Sequence, residues 1–106
     1  MHDRFLWINE FIDGTVRRLR PVDALCWLVL WRHANGRHRA TVAYSVIADA
    51  LNVSQRTAIR SVDRLKQAGL VRIERRGGLR TGPNQYLIAP VDMATLTGHK
   101  RKDGGA

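Results

Sequence analysis

Residues 53–70, VSQRTAIRSVDRLKQAGL, carry the pattern that decides the fold. Ser54 is a favourable N-cap residue and Gly69 a favourable terminator, so the stretch predicts a helix over residues 54–68. On a helical wheel, one side carries Ala58, Ile59, Val62, Leu65 and Gly69, and the other carries Arg56, Thr57, Arg60, Asp63, Arg64 and Gln67. The apolar side predicts packing on a core, which turns the basic side toward solvent.

Three further helices are predicted before this one. Residues 3–13 place Phe5, Ile8, Phe11 and Ile12 at helical spacing, and Asp13-Gly14 is expected to break that helix. Pro21 suits the first position of a helix over 21–34, whose nearly all-round apolar surface predicts the central core helix; its apolar residues are Val22, Leu25, Cys26, Leu28, Val29 and Leu30.

After RHRATV, residues 37–42, which predicts a short extended piece, residues 43–51 form the third of these helices. Its expected apolar face consists of Val46, Ile47, Ala50 and Leu51. Asn52 then stands where the chain must turn, and asparagine tolerates the left-handed conformation better than most residues. The sequence therefore predicts a short helix and a tight turn directly before the helix at 54–68.

Alternating apolar and charged residues follow that helix. LVRIER at 70–75 and QYLIA at 85–89 predict the two strands of a β-hairpin over residues 70–89. Its glycine-rich turn region carries Arg75, Arg76 and Arg80. Residues 1–90 are thus expected to form one domain, and residues 91–106 a short flexible extension in which 91–97 could form a short helix.

The charge is strongly positive and unevenly distributed. Eighteen Lys and Arg residues against nine Asp and Glu residues leave a formal charge of +9. Residues 54–90 hold eight basic and two acidic side chains, a net +6. Such a cluster favours a polyanionic partner over a merely solvated basic surface. An anionic membrane is less favoured than nucleic acid, because no helix pairs a basic face with a broad exposed apolar face.

The order of these elements is similar to that of a known family. Residues 47–78, IADALNVSQRTAIRSVDRLKQAGLVRIERRGG, together with QYLIA at 85–89, resemble winged helix-turn-helix DNA-binding domains over roughly residues 20–90. Asn52 departs from the more usual glycine at the turn. The resemblance implies a mainly α fold with a small β-hairpin (α+β): a three-helix core, a wing and an extra N-terminal helix.

The resemblance also implies which side chains face DNA. The helix at 54–68 would be the recognition helix and the hairpin at 70–89 the wing. The implied DNA-facing residues are Ser54, Gln55, Arg56, Thr57, Arg60 and Arg64 on the helix, and Arg75, Arg76 and Arg80 on the wing. Arginine can bridge two acceptors of guanine, glutamine can pair with adenine, and a threonine methyl can touch thymine. Arg64 is expected at a backbone phosphate, and Asp63, unfavourable beside DNA, is expected to pair with Arg60 or Lys66.

We therefore expect a sequence-specific double-stranded DNA-binding protein that acts as a homodimer on a repeated or palindromic site. The segments at 3–13 and 91–97 are candidate dimer elements. Transcriptional regulation is the first expectation, and plasmid or phage replication initiation, partition or excision is the alternative. A winged-helix module for protein–protein contact in a larger assembly is the alternative of another class.

Other chemistry has little support in the sequence. Cys26 is the single cysteine, so no intrachain disulfide can form and the cytoplasm is the expected compartment. The four histidines are scattered, and no phosphate-binding loop or catalytic constellation stands out. We expect no enzyme, cofactor, metal site, membrane association or small-molecule effector. Trp7, Trp27 and Trp31 are expected in core or dimer packing.

Overall fold

The computed structural model describes residues 4–76 and 83–92. Its elements are α1 (Arg4–Glu10), α2 (Pro21–Arg32), β1 (Arg39–Val42), α3 (Tyr44–Leu51), α4 (Gln55–Gln67), β2 (Val71–Arg75) and β3 (Asn84–Ile88). The three strands form an antiparallel sheet in the order β1–β3–β2. Helices and a small sheet in this order confirm the α+β class and are compatible with a winged helix-turn-helix fold.

Helix α2 is the central core helix, as predicted. Pro21 occupies its first turn, where a missing N–H costs nothing, and Trp27, Leu30 and Cys26 are fully buried. The helix contacts α3, α4 and β1. Leu25, however, is 52% exposed, which corrects its place in the predicted core. It lies on the side of α2 that these neighbours leave open.

The predicted break at Asp13-Gly14 is wrong. The chain continues from α1 through a π-helical turn at Phe11–Thr15 and a 3-10 turn at Val16–Arg18. Two tertiary contacts hold this path: the Phe11 ring stacks on Trp27 with centroids 3.9 Å apart, and the Thr15 hydroxyl donates a 2.6 Å hydrogen bond to the Pro90 carbonyl. Packing thus overrides the local tendency of an Asp-Gly pair to end a helix.

Several apolar residues predicted at packed positions are exposed. Phe5 is 83% exposed and Ile12 about half exposed, whereas Phe11 between them is fully buried. Val46 and Ile59 are also exposed on α3 and α4. Ala48 and Ser61, which the pattern did not assign to the packed faces, are buried.

The sheet contains a strand that the sequence predicted only as a short extended piece. β1 pairs with β3, with Arg39 opposite Leu87 and Val42 opposite Asn84. β2 pairs with the other edge of β3 and has an irregularity between Ile73 and Arg75. The predicted glycine-rich turn lies mostly outside the described residues, and its Arg80 lies wholly outside them. The helix predicted at 91–97 also falls mostly outside them.

The tryptophans form one aromatic stack, which confirms the prediction of core packing. Trp27 and Trp31 stack at 5.3 Å, Trp31 and Trp7 at 5.5 Å, and Trp7 lies on the His38 ring at 3.8 Å. Phe11 extends the stack beyond Trp27. The stack joins α1, α2 and His38, the residue before β1, so the N-terminal helix is part of the core.

Candidate nucleic-acid interface

The turn between α3 and α4 determines how α4 projects from the core. Asn52 adopts the left-handed conformation at φ 58°, as predicted, and the Val53 N–H donates to the Ala48 carbonyl at 3.0 Å. This bond closes α3, and the left-handed Asn52 redirects the chain within two residues. Ser54 then stands in extended conformation as the N-cap of α4.

The N-cap hydroxyl is engaged within the protein. Ser54 Oγ accepts a 3.0 Å hydrogen bond from the Thr57 N–H and donates to Thr57 Oγ1 at 3.1 Å. The sequence-predicted cap is therefore confirmed. Both residues lie at the start of α4, but their hydroxyl groups bond to each other, so they preorganise the first turn.

Helix α4 has a buried stripe and a polar outer face. Its buried residues are Ala58, Ser61, Val62 and Leu65. Gln55, Arg56 and Arg60 are exposed along the first two turns. Three of the predicted DNA-facing side chains thus share the accessible N-terminal half of the helix, where a recognition helix presents its residues to base edges.

Asp63 is the acidic residue on this face, and its charge is partly compensated. Gln67 Nε2 donates to Asp63 Oδ2 at 2.9 Å, and Lys66 Nζ lies 3.9 Å from Asp63 Oδ1. The predicted pairing with Lys66 is confirmed. At an exposed site such a pair is worth only a few tenths of a kcal/mol, so it can reorganise near a polyanion.

Arg64 lies at the inner edge of the same face and points to the core helix. Its Nε and Nη2 bond to the two carboxylate oxygens of Asp23 at 2.8 and 2.9 Å, and Ser61 Oγ donates to Asp23 Oδ1 at 2.6 Å. The hydrogen bond to Asp23 raises the pKa of the Arg64 guanidinium. The structure thus gives Arg64 an internal partner, and its predicted phosphate contact stays a prediction.

Sequence reasoning did not find Asp23 as part of this site. The residue is 2% exposed and holds two side chains of α4. Ser61 and Arg64 lie 38 and 41 positions after Asp23, so no local sequence pattern could indicate these pairings.

The chain just after β2 brings a further arginine, Arg76, toward α4. Arg75 and Arg76 are exposed, and a groove of about 290 Å³ separates β2 from α4. The groove is lined by Tyr44, Ile59, Arg60, Val62, Asp63, Lys66, Ile73 and Arg76. Arg60 and Arg76 therefore belong to one continuous surface. The ninth predicted residue, Arg80, lies outside the described residues.

Glu74 forms ion pairs with two other arginines of the sheet. Its carboxylate bonds to Arg39 Nε at 2.7 Å and to Arg72 Nη2 at 3.3 Å. These partners lower the pKa of Glu74, first through the hydrogen bond from Arg39. Because both partners belong to the sheet, the basic groove beside α4 consists of other side chains.

Within residues 4–76 and 83–92, no group of histidine, cysteine or acidic residues is arranged to hold a metal ion. The helices described in these ranges are also too short or too polar to cross a membrane. Cys26 is buried, and burial raises its pKa to about 11.

Comparison with known protein families matches residues 17–71 to HTH_36, a helix-turn-helix domain. The match covers more than half of the 106 residues and includes α2, α3 and α4. Neither a curated protein nor a solved structure gives a significant match to the chain.

Proposed function

The chain belongs to a helix-turn-helix DNA-binding family, and from this premise we propose that it binds double-stranded DNA sequence-specifically and regulates transcription as a homodimer. The single observation that carries the proposal is the shared surface of Arg60 on α4 and Arg76 beside β2, which line one groove. Both are predicted DNA-facing residues, and they come from two different elements. We propose no catalytic role for the protein.

In the proposed complex, the first two turns of α4 enter the major groove. Gln55, Arg56 and Arg60 are exposed there, and arginine and glutamine side chains can make bidentate contacts to guanine and adenine. Thr57 is half-buried, and we propose that its methyl group contacts a thymine. The free N–H groups at the start of α4 favour a phosphate nearby.

The β2–β3 pair supplies the second, sequence-independent contact. Arg75 is the last residue of β2, Arg76 follows it, and Arg80 lies four residues further along the sequence. Arginine at a phosphate adds affinity and salt dependence but no base preference. We therefore propose that α4 reads the bases and that the wing binds phosphates.

The homodimer rests on an apolar groove between α1 and α2. This groove has a volume of about 450 Å³ and is lined by Phe5, Ile8, Leu28, Trp31 and Arg32. A second copy is the occupant that the charge distribution favours. Residues 1–53, which form this groove, carry only +2 of the formal +9, so two copies repel each other less here than across residues 54–90, which carry +6. Two copies would also present two recognition helices, which a repeated site requires.

The test of DNA reading starts by selecting bound duplexes from a random pool. Arg56→Ala and Arg60→Ala are expected to lose the selected sequence while remaining folded, because both side chains are exposed. Arg37→Ala is the control, because it also removes one exposed arginine. Arg37 lies just before β1, at the opposite edge of the sheet from β2, so this variant is expected to keep the sequence specificity. Absence of salt-dependent affinity for any duplex would reject the proposal and favour a protein-interaction module.

The dimer is tested separately by sedimentation. Phe5→Glu is expected to shift the protein to monomer without unfolding it, because the side chain is 83% exposed. A wild-type monomer at micromolar concentration, both free and on DNA, would reject the homodimer. The spacing of half-sites in the selected duplexes, with the neighbouring genes, distinguishes transcriptional regulation from a plasmid or phage replication, partition or excision role.

A further inference from the structure

A buried carboxylate of the core helix makes the described side-chain hydrogen bonds between α2 and α4. Asp23 is 2% exposed and lies in the first turn of α2. It accepts from Ser61 Oγ at 2.6 Å and from two nitrogens of Arg64 at 2.8 and 2.9 Å. A charge this deeply buried is tolerated because three donors face it.

The geometry of these bonds is more restrictive than the apolar contacts around them. Apolar packing between α2 and α4 is non-directional and tolerates small shifts of one helix against the other. The two-pronged guanidinium–carboxylate pair fixes both distance and plane. Ser61, three residues before Arg64, adds a second anchor one helical turn away. Together they restrain the rotation and axial position of α4.

This position decides where the outer face of α4 points. Arg60 lies directly before Ser61 in the chain, and Arg56 lies one turn further toward the N-terminus. A rotation of α4 of the size of one residue position, about 100°, would replace the outward-facing set of side chains altogether. Even an ångström of sliding changes whether a bidentate contact to a base can form.

We propose that Asp23 is a positioning residue for DNA reading, which acts through Ser61 and Arg64 to hold α4 in the orientation that makes base contacts. The inference rests on the proposed function and deepens it. Asp23 lies on the core helix and does not touch DNA. Arg64, held by Asp23, contributes chiefly to orientation.

The test compares Asp23→Asn with Asp13→Asn. Both substitutions remove one carboxylate, but Asp13 is exposed and forms none of the described side-chain bonds to α4. Affinities are measured for the selected duplex and for an unrelated duplex of equal length. Asp23→Asn is expected to lower the ratio of the two affinities about tenfold or more, the cost of one poorly read base pair. Affinity for the unrelated duplex should not fall, because the protein gains net positive charge.

Ser61→Ala is the second variant and keeps the test decisive if Asp23→Asn does not fold. It removes one hydrogen bond at a fully buried position without changing the charge. Its specificity ratio is expected to fall about two- to tenfold, corresponding to the loss of one hydrogen bond. If Asp23 and Ser61 had only a structural role, either variant would unfold at a lower temperature. Its folded molecules would still show the wild-type ratio of affinities for the selected and the unrelated duplex.

The outcomes separate the two levels of inference. The positioning role is overturned if folded Asp23→Asn discriminates the two duplexes as well as Asp13→Asn does. If Asp23→Asn does not fold, the same result with folded Ser61→Ala overturns it. In either case the proposed function stands. If the wild-type protein itself discriminates no duplex, the proposed function fails first. A lowered ratio with unchanged unrelated-duplex affinity supports the positioning role.

Discussion

Trp27 and Ala89 are joined by a buried hydrogen bond across 62 residues: the indole Nε1 donates to the Ala89 carbonyl at 2.8 Å. The bond connects the middle of α2 to the residue that follows β3. Because the Ala89 N–H also donates to the Leu70 carbonyl at 2.9 Å, the same residue holds the chain just before β2. The core helix, the start of β2 and the end of β3 are thus tied at one point.

Trp27→Phe is expected to destabilise the protein by about 1–3 kcal/mol, because the Ala89 carbonyl loses its donor in a buried site. The smaller ring also leaves space beside Phe11. Urea unfolding measures the change. Trp7→Phe is the matched control: Trp7 is half-buried and makes none of the described indole hydrogen bonds. Equal losses in both variants would contradict the importance of the Trp27–Ala89 bond.

Ser54→Ala is expected to cost about 0.5–2 kcal/mol of stability, because the Thr57 N–H loses its cap acceptor. Ser54→Asp should retain the cap and the stability, since a carboxylate also caps and favours a helix N-terminus. Placed against DNA, however, that charge should weaken binding. Unfolding and duplex titration of both variants separate the two effects; unimpaired binding by the Asp variant would place the start of α4 away from phosphate.

Gly69→Ala is expected to destabilise by about 1–2 kcal/mol or more, because Gly69 has φ 77°, where an L side chain is strained. A Cβ there would also overlap the Asp92 carboxylate. Gly36→Ala serves as the comparison, since its Cβ would meet nothing within 4 Å and its φ is not positive. Thermal unfolding of the two variants should differ clearly; a neutral Gly69→Ala would mean that the end of α4 can rearrange.

Cys26 is expected to react slowly with thiol reagents in the folded protein at pH 8 and rapidly in urea. Burial raises its pKa from the ordinary 9.0 to about 11, so the reactive thiolate is scarce. The folded state therefore binds this proton more tightly than the unfolded state. Its stabilising contribution is complete below pH 9 and is lost as pH rises from about 9 to 11.

Cys26→Ser provides the control for the alkaline effect, because serine does not titrate in this range. Burial also raises the pKa of Tyr86, which adds its own loss of stability at high pH in both proteins. The difference between wild type and variant across pH 9–11 isolates the thiol. Parallel pH profiles would show that the thiol is less buried than the structure indicates.

Much of the helical part of the fold could be predicted because its signals are local. The cap Ser54, the left-handed Asn52 and the stop Gly69 act within one or two turns, and all three have the predicted conformations. The exposed residues Arg56 and Arg60 also follow from helical periodicity alone. For these positions the physics is that of a few neighbouring backbone groups.

Faces and partners were harder to predict. Phe5 and Ile59 have helical apolar spacing yet are exposed, because exposure depends on which neighbours pack against a helix and not on its own pattern. Likewise, β1 becomes a strand only by pairing with β3, which follows more than forty residues later. A short extended segment has no stability without such a partner.

The sequence alone determined that a short helix, a tight turn and a basic helix follow a core helix, because capping and periodicity depend on adjacent residues. Only the tertiary structure decided that Asp23 holds Ser61 and Arg64. It also decided that contacts of Phe11 and Thr15 keep the chain helical past Gly14. Finally, it decided that Arg60 and Arg76 share a groove. Each of these relations joins residues distant in the chain. Their energies depend on distances and burial that arise only when the core closes.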